Sequence, residues 1–468
     1  MKTVTALLLF LSILHFTGTA QVTEQDSLAL VAFYNSTGGP GWTNDSNWLT
    51  GPVSSWYGVT VEGGRVKKII LNSNNLSGTL PTDLGQLSAL TTIACSNDNG
   101  LTGEIPDELF QIGSLRQIGI GNCSLIGTIP NNIGNCAYLT ELNLPQNNLT
   151  GPIPPEIGNL DSLIFLDLHD NQLNGSIPPE LGNCTNLWEL RLGNNQLSGN
   201  LPPALADCNQ IFFLDVSNNL LEGNIPEELA SVTSYGDLFF HNNRFTGIPP
   251  WQNNWFLSTL WIQDNRMTFE DIEPHFVGYP WYNYSPQDSI GVKVDTILVP
   301  GSNICIYSGT GGEFTSYKWY KNGELIFQGS EADTLFISNV SQTDTGTYYC
   351  IATNTLAIEL TLIRRPFRIT VDTTQNIIDK PVPNIHIFPN PAADLITVEF
   401  TNNLYPLHIK LTDLKGRYVK VLNMIKTSGN KYLINLGALD DGIYLLQIQT
   451  KSTIYTQKII KGNRATAF

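Results

Sequence analysis

The residues of this chain that could do chemistry sit at alternating positions and come back every 24 residues. Phe165, Asp167 and His169 lead; Glu189 and Arg191 follow, then Phe213 and Asp215, then Asp237, Phe239 and His241, and Trp261 closes the row. Residues two apart point to one side of a strand, so the row reads as a single face on which aromatic rings alternate with carboxylates. Such a face does non-covalent work: aromatic burial gives affinity and charge gives selectivity. Covalent chemistry finds no support. The chain has no Gly-x-Ser-x-Gly elbow, no His-Glu-x-x-His, no phosphate loop and no acidic, glycine-centred calcium loop. No Cys/His cluster has zinc spacing, so neither metal nor cofactor is expected and the chain reads as a non-enzyme. Gly309-Thr310-Gly311-Gly312 lies between two strand-like runs rather than before a helix, and reads as a turn.

The elements that position this face follow from the same period. A ladder slot is occupied by Asn74, Asn99, Cys123, Asn147, Asn171, Asn195, Asn219, Asn243 and Asn265. Around it runs one pattern, cleanest as Leu163-x-x-Leu166-x-Leu168-x-x-Asn171-x-Leu173-x-Gly175-x-Ile177-Pro178. Alternating leucines point inward from a short strand, and the Asn amide, donor and acceptor at once, can satisfy backbone groups left open by the bend that follows. One such unit cannot bury its apolar face alone, so the units stack. The pattern resembles the leucine-rich repeat family, and Gly-x-Ile-Pro resembles its plant-type subclass, which implies a second extended segment before the outer turn. Nine rungs are expected, curved with the strands on the concave side, with one extra residue between Cys95 and Asn99 as a local bulge.

Composition bounds the rest. Of the 468 residues, those from Gln21 to Asn283 carry 26 acids against 7 bases, while those from Asn384 onward carry 5 against 10. So acidic a solenoid lacks the basic footprint that nucleic acid requires. Lys2, the apolar run Ala6 to Phe16 and Thr17-Gly18-Thr19-Ala20 read as a signal peptide over 1–20. No later run is long enough for a transmembrane helix. Residues 21–65 read as the solenoid's N-terminal cap, with a helix over Asp26 to Tyr34. Trp56-Tyr57-Gly58-Val59-Thr60-Val61 resembles the plant cap motif with Val61 in place of its cysteine, which leaves Trp42, Trp48 and Trp56 to hold the cap by packing. The repeats span 66–283, closed by an aromatic lid of Phe276, Tyr279, Trp281, Tyr282 and Tyr284.

Cys136, Cys184 and Cys208 occupy slots held by Ile112, Leu160 and Val232 in other rungs, and so behave as small apolar residues. Cys184 and Cys208 stand one rung apart, close enough for a bond to be geometrically allowed, although burial favours inert thiols. Cys305, Trp319 and Asp344-x-Gly346-x-Tyr348-x-Cys350 resemble the immunoglobulin signature, which implies a β-sandwich over 289–371 with a Cys305–Cys350 disulfide and an oxidising compartment. Such a domain serves either as a binder or as a spacer. A linker over 372–384 precedes alternating strands at Leu395 to Phe400, Leu407 to Leu411, Tyr432 to Leu436 and Ile443 to Gln449, a small antiparallel β-sandwich. Pro389-Asn390-Pro391, Asp413-Leu414-x-Gly416-Arg417 and Gly442-Ile443-Tyr444 resemble the type IX secretion C-terminal sorting domain of Bacteroidetes, placed at 385–462. The resemblance implies the type IX secretion machinery as a partner, cleavage of the domain, and then release or attachment to surface lipopolysaccharide.

The chain thus reads as a multidomain protein: a leucine-rich repeat solenoid, an immunoglobulin-like sandwich and a sorting domain. The function expected is recognition or adhesion outside the cell, with a protein or glycan ligand on the concave face. A non-catalytic targeting arm or inhibitor of a secreted hydrolase is the alternative. A plant-type receptor ectodomain is opposed by the sorting domain and the missing cap cysteines.

Overall fold

The computed structural model describes residues 22–249, 251, 257–275, 282–373, 385–388, 395–400, 408–413, 418–419, 422–428, 431–436, 439, 442–449 and 454–461. It forms two compact units, Met1–Asn265 with Val277–Tyr284 and Arg266–Phe276 with Ser285–Phe468. The signal peptide, most of the linker, and Pro389, Asn390, Pro391 and Gly416 of the sorting motif lie outside the described residues, as do Phe276, Tyr279 and Trp281 of the expected lid. No helix among the described residues is long and apolar enough to cross a membrane.

In the first unit nine short strands stack in parallel, from Arg65–Ile70 to Thr259–Trp261. The antiparallel strand Val59–Glu62 precedes them and Tyr282–Asn283 extends the sheet to eleven strands. Each central leucine or isoleucine is fully buried while its neighbours on the strand face outward, as in Phe165-Leu166-Asp167. A second set of strands, among them Gln172–Gly175 and Gln196–Asn200, forms the second extended layer that the Gly-x-Ile-Pro pattern implied. A glycine at or near the end of most of these segments sits at positive φ, 77° for Gly175, where a Cβ would be strained. Single 3₁₀ turns such as Pro179–Asn183 then carry the chain back to the next rung.

The ladder does the work assigned to it, with one correction. The residue before each slot is left-handed, φ between 51° and 65° from Ser73 to Asp264, which turns the chain out of the strand and exposes its carbonyls to the slot. Asn171 Nδ2 donates to the carbonyls of Leu144, Leu168 and His169 at 3.0, 3.1 and 3.3 Å, and its Oδ1 accepts from Leu149 N–H at 3.0 Å. Asn147, Asn195, Asn219, Asn243 and Asn265 repeat this set. In rung two the slot is Asp98, not Asn99. Asp98 Oδ1 accepts from Leu76 N–H at 3.0 Å, whereas Asn99 is exposed and is itself the extra residue.

The cause lies one rung on. Cys123 Sγ donates to the carbonyls of Cys95 and Gly121 at 3.3 and 3.4 Å but offers no strong acceptor. Leu101 N–H, which an Asn at 123 would receive, bonds Asp98 O at 2.8 Å instead, across a turn lengthened by Asn99. Asp98 thus keeps the acceptor half of the slot and Cys123 the donor half.

The cap helix runs Glu24–Ser36, longer at both ends than its apolar spacing indicated; its start is fixed by Thr23, whose hydroxyl accepts from Asp26 N–H at 3.2 Å. Asp26 is fully buried and takes a two-pronged bond from Arg65 at 2.9 and 3.0 Å, plus Val66 N–H at 2.8 Å. Trp42, Trp48 and Trp56 form a chain of ring contacts at 4.9 and 4.7 Å, with Tyr34 stacked on Trp48. Each indole N–H is satisfied by a carbonyl, those of Thr37, Tyr57 and Gly51. Packing therefore takes the place of a cap disulfide.

The second unit holds two β-sandwiches. In the first, Gly346–Asn354 pairs with Thr315–Lys321, in a sheet that also contains Val294–Leu298, Phe367–Val371 and the edge strand Glu324–Gly329. Ile304–Tyr307 pairs with Thr334–Ile337 in a sheet of their own. Trp319 is fully buried beside Cys350 and donates its indole N–H to Ala332 O at 2.7 Å, and Tyr348 Oη donates to Asp344 O at 2.7 Å. Cys305 and Cys350 are both buried, on strands of different sheets. Cys350 stands as a thiol in the structure; we propose that it is bonded to Cys305 in the exported protein. The C-terminal sandwich has two four-stranded sheets. Its core includes Ile396, Val398, Phe400, Ile434, Leu446, Ile448 and Ile459.

Candidate functional site

Parallel register turns the alternating residues into columns. Phe165, Glu189, Phe213 and Asp237 are successive partners in one column; Asp167, Arg191, Asp215, Phe239 and Trp261 are partners in the next. His169 and His241 flank the second column just beyond their strands. The sequence-predicted face is thus assembled on one sheet.

Its C-terminal half is a connected aromatic ladder. Phe213 and Phe239 rings lie 5.3 Å apart at 41°, Phe239 and Trp261 5.2 Å apart at 83°, and His241 packs on Trp261 at 5.4 Å. Trp261 remains 39% exposed. The Arg191 guanidinium lies 4.2 Å over the Phe213 ring and is bonded to Glu189, so the only cation among these residues is already engaged. Asp215 holds Ser217 N–H at 2.9 Å and Asp237 accepts from Ser258 Oγ at 2.7 Å.

The two histidines differ. His169 Nδ1 lies 2.5 Å from Asp167 Oδ1, and this hydrogen bond holds the imidazole above its ordinary pKa despite partial burial. Burial pushes His241 down, against the pull of Asp215 and Asp264, and its Nδ1 is buried without a hydrogen-bond partner among the described residues. A shallow hollow of about 280 Å³ lies at the other end of the face, between Glu141, Asn143, Phe165, Asp167 and Glu189. Among the described residues no group of three His, Cys, Asp or Glu side chains could hold a metal ion.

Strand alternation missed a second aromatic group. Trp188 and Phe212 precede the strand positions, on the flank of the sheet, with rings 5.5 Å apart and 5° from parallel. Phe165 meets Trp188 edge-on at 5.8 Å. The 24-residue register from Ile164 to Trp188 to Phe212 was the available signal.

Three cysteines of the array sit in the apolar slots expected. Cys136, Cys184 and Cys208 are fully buried thiols, and burial pushes Cys184 up to about 11 and Cys208 to about 12.

Three family descriptions match the chain: a secretion system C-terminal sorting domain over 386–462, an immunoglobulin domain over 293–354, and leucine rich repeats over 65–87, 138–160, 162–184 and 186–208. Among solved structures the chain is similar to a plant ice-binding protein, at 25% identity and TM-score 0.48, covering 59% of this chain and 90% of that one. It is also similar to the ectodomain of the Arabidopsis thaliana receptor kinase GASSHO1/SCHENGEN3, at 29% and 0.41, covering 52% of this chain and 36% of that one. A third is the Arabidopsis HAESA receptor kinase ectodomain, at 23% and 0.40, covering 59% and 54%. The chain thus spans about a third to a half of these receptor ectodomains. No curated protein matches it. Repeats, sandwich and tail together make the chain a leucine-rich repeat protein with an immunoglobulin-like domain, exported by type IX secretion to the cell surface or the extracellular space.

Proposed function

We propose that this exported protein is a recognition or adhesion protein that holds a protein partner on the concave sheet of its last five rungs. The observation that supports this reading is the contiguous ladder Phe213, Phe239 and Trp261, bordered by Asp215 and Asp237. Rings set at 41° and 83° to one another share no plane. They suit interdigitating side chains better than a flat sugar ring. With Arg191 engaged by Glu189, the carboxylates Asp167, Asp215 and Asp237 select basic groups on the partner. The opposite end of the same sheet supports the contrast, since Lys68, Ile70, Gln117 and Gly119 carry no rings. The immunoglobulin-like domain serves as adaptor, and the sorting domain is an address lost before the mature protein is released or attached to surface lipopolysaccharide.

The test immobilises the full-length protein and measures its affinity for a partner captured from the surface fraction of the producing cells. Phe239→Ala and Trp261→Ala should each weaken binding by about tenfold or more, while Glu180→Ala on an outer turn leaves it unchanged. Normal binding by both aromatic variants rules the concave face out.

A further inference from the structure

A hollow of about 420 Å³ lies on the flank of the repeat sheet, lined by Ser162, Ile164, Asn186, Trp188 and Gln210. The hollow is wide and open to solvent, so a ligand here would lie on it rather than be enclosed. Ser162, Asn186 and Gln210 stand 24 residues apart, one per rung, so a hydroxyl and two amides form a column with a step of roughly 4.8 Å. Beside that column stand Ile164 and the indole of Trp188, which is 41% exposed.

The platform is rigid. Phe212 stacks 5° from parallel on the indole, and its ring covers Gly236 so closely that a Cβ there would lie 2.1 Å from it. Phe212 does not line the hollow, whereas Ile164, on the rung at the other side of Trp188, does. Phe212 thus backs the indole, and the indole and Ile164, one rung apart in the same column, both line the hollow. The polar groups are held too. Asn186 Nδ2 donates to Asp161 O at 2.8 Å and leaves its oxygen open, and Gln210 Nε2 donates to Asn209 Oδ1 at 2.8 Å. The Ser162 hydroxyl makes no hydrogen bond among the described residues.

No ionisable side chain lines this hollow, in a chain of formal net charge −16. An anion would meet only the long-range repulsion of the acidic solenoid, and a cation would find no carboxylate. A neutral ligand with one apolar flat side and a rim of hydroxyls matches what is there. We propose that the Trp188 hollow is a subsite for a neutral pyranose: the C–H face of the sugar stacks on the indole, whose ring face is the negative side of its quadrupole. The sugar hydroxyls bond Ser162, Asn186 and Gln210, which donate and accept as hydroxyls and amides do. This site stands apart from the Phe213, Phe239 and Trp261 ladder and does not depend on it.

Affinity electrophoresis of the full-length chain, through gels containing hydroxyethyl cellulose, laminarin, galactomannan or soluble starch, tests the proposal, with polygalacturonate as the anionic control. At least one neutral gel should retard the wild type. Trp188→Ala should weaken that retardation by about tenfold. Asn186→Ala and Gln210→Ala leave the aromatic stack intact and should each weaken it severalfold, and Phe239→Ala should not change it. The proposal is overturned if no neutral gel retards the protein, if polygalacturonate retards it as strongly, or if the Asn186 and Gln210 variants migrate as wild type does. Loss of retardation in Phe239→Ala would place sugar binding on the concave face and overturn it as well.

Discussion

Asp98→Asn should stabilise the solenoid, and by an amount that depends on pH. At every full ladder slot the Asn side chain gives its N–H groups to backbone carbonyls, three of them at Asn171. Asp98 keeps the acceptor contact to Leu76 N–H, but its second oxygen is buried with no hydrogen-bond partner among the described residues. A buried polar group left unsatisfied costs about 1–3 kcal/mol, so restoring the amide should recover about that much near neutral pH. For an array of this size the midpoint should rise by roughly 2–4 °C per kcal/mol.

The sign of the pH dependence follows from the carboxyl. Burial holds Asp98 above its ordinary value, outweighing the backbone hydrogen bonds that pull it down. The native state therefore keeps a proton that the unfolded chain has lost. Stability from this group is fully present below the unfolded carboxyl value and falls as pH rises through the raised native one. Protonated, Asp98 carries an O–H and can donate much as Asn does, so the advantage of the variant should shrink as pH falls through the raised native value and be smallest below the ordinary carboxyl value. Scanning calorimetry of the full chain at neutral pH and near pH 3.5 reads both effects. A variant with an unchanged or lower transition at neutral pH, or a gain that does not shrink in acid, refutes the reasoning.

Asp26 should show the opposite slope: burial alone would raise it, but Arg65, Val66 N–H and Thr23 together hold it below its ordinary value, so Asp26→Asn should destabilise the cap at neutral pH and cost less as pH falls through the native value. Hydrogen exchange on peptides of the Glu24–Ser36 helix reads this, and equal loss at both pH values counts against it. Asn195→Ala removes one acceptor and three donor contacts and should lower stability by about 2–4 kcal/mol in urea melts; a change under about 1 kcal/mol contradicts the ladder's role. Thiol counting under denaturing, non-reducing conditions should give five, from the array, with Cys305 and Cys350 bonded; seven excludes that bond, and three would mean the array is cross-linked. Intact mass of the exported protein should correspond to a chain that ends before the sorting domain, and a species still ending at Phe468 excludes its removal.

The fold was legible wherever burial imposes a period. Leucines at fixed offsets announced the nine rungs, and Trp319, Tyr348 and Cys350 announced the sandwich, because each reports a position that packing cannot vary. Placement within a rung was less legible. Asp98 and Asn99 can both bond a backbone N–H, and only the contact to Leu76 separates them. Tyr282–Asn283 joins the sheet as a two-residue strand, too short to carry alternation. In the C-terminal sandwich, Leu422–Ser428 and Ile454–Lys461 escaped because their polar and apolar residues do not alternate cleanly. The columns on the outward strand face followed from strand geometry, whereas Trp188 and Phe212 required the repeat register.

Asp98 and Cys123 occupy successive slots, and each keeps only half of the slot's hydrogen bonds. In a stack where each rung touches only its neighbours, cooperativity passes through such junctions one at a time. Under mechanical load or at the onset of heating, the array should part at this junction. The helical cap and first two rungs would then unravel as one block, while the rungs from Asn147 to Asn265 stay closed behind it. Folding should run in the reverse order, with the unbroken ladder as the template on which the N-terminal rungs dock. The face carried by Phe213, Phe239 and Trp261 lies wholly in the late-opening block, so a tethered protein pulled from its N-terminus would yield length before it yielded its grip.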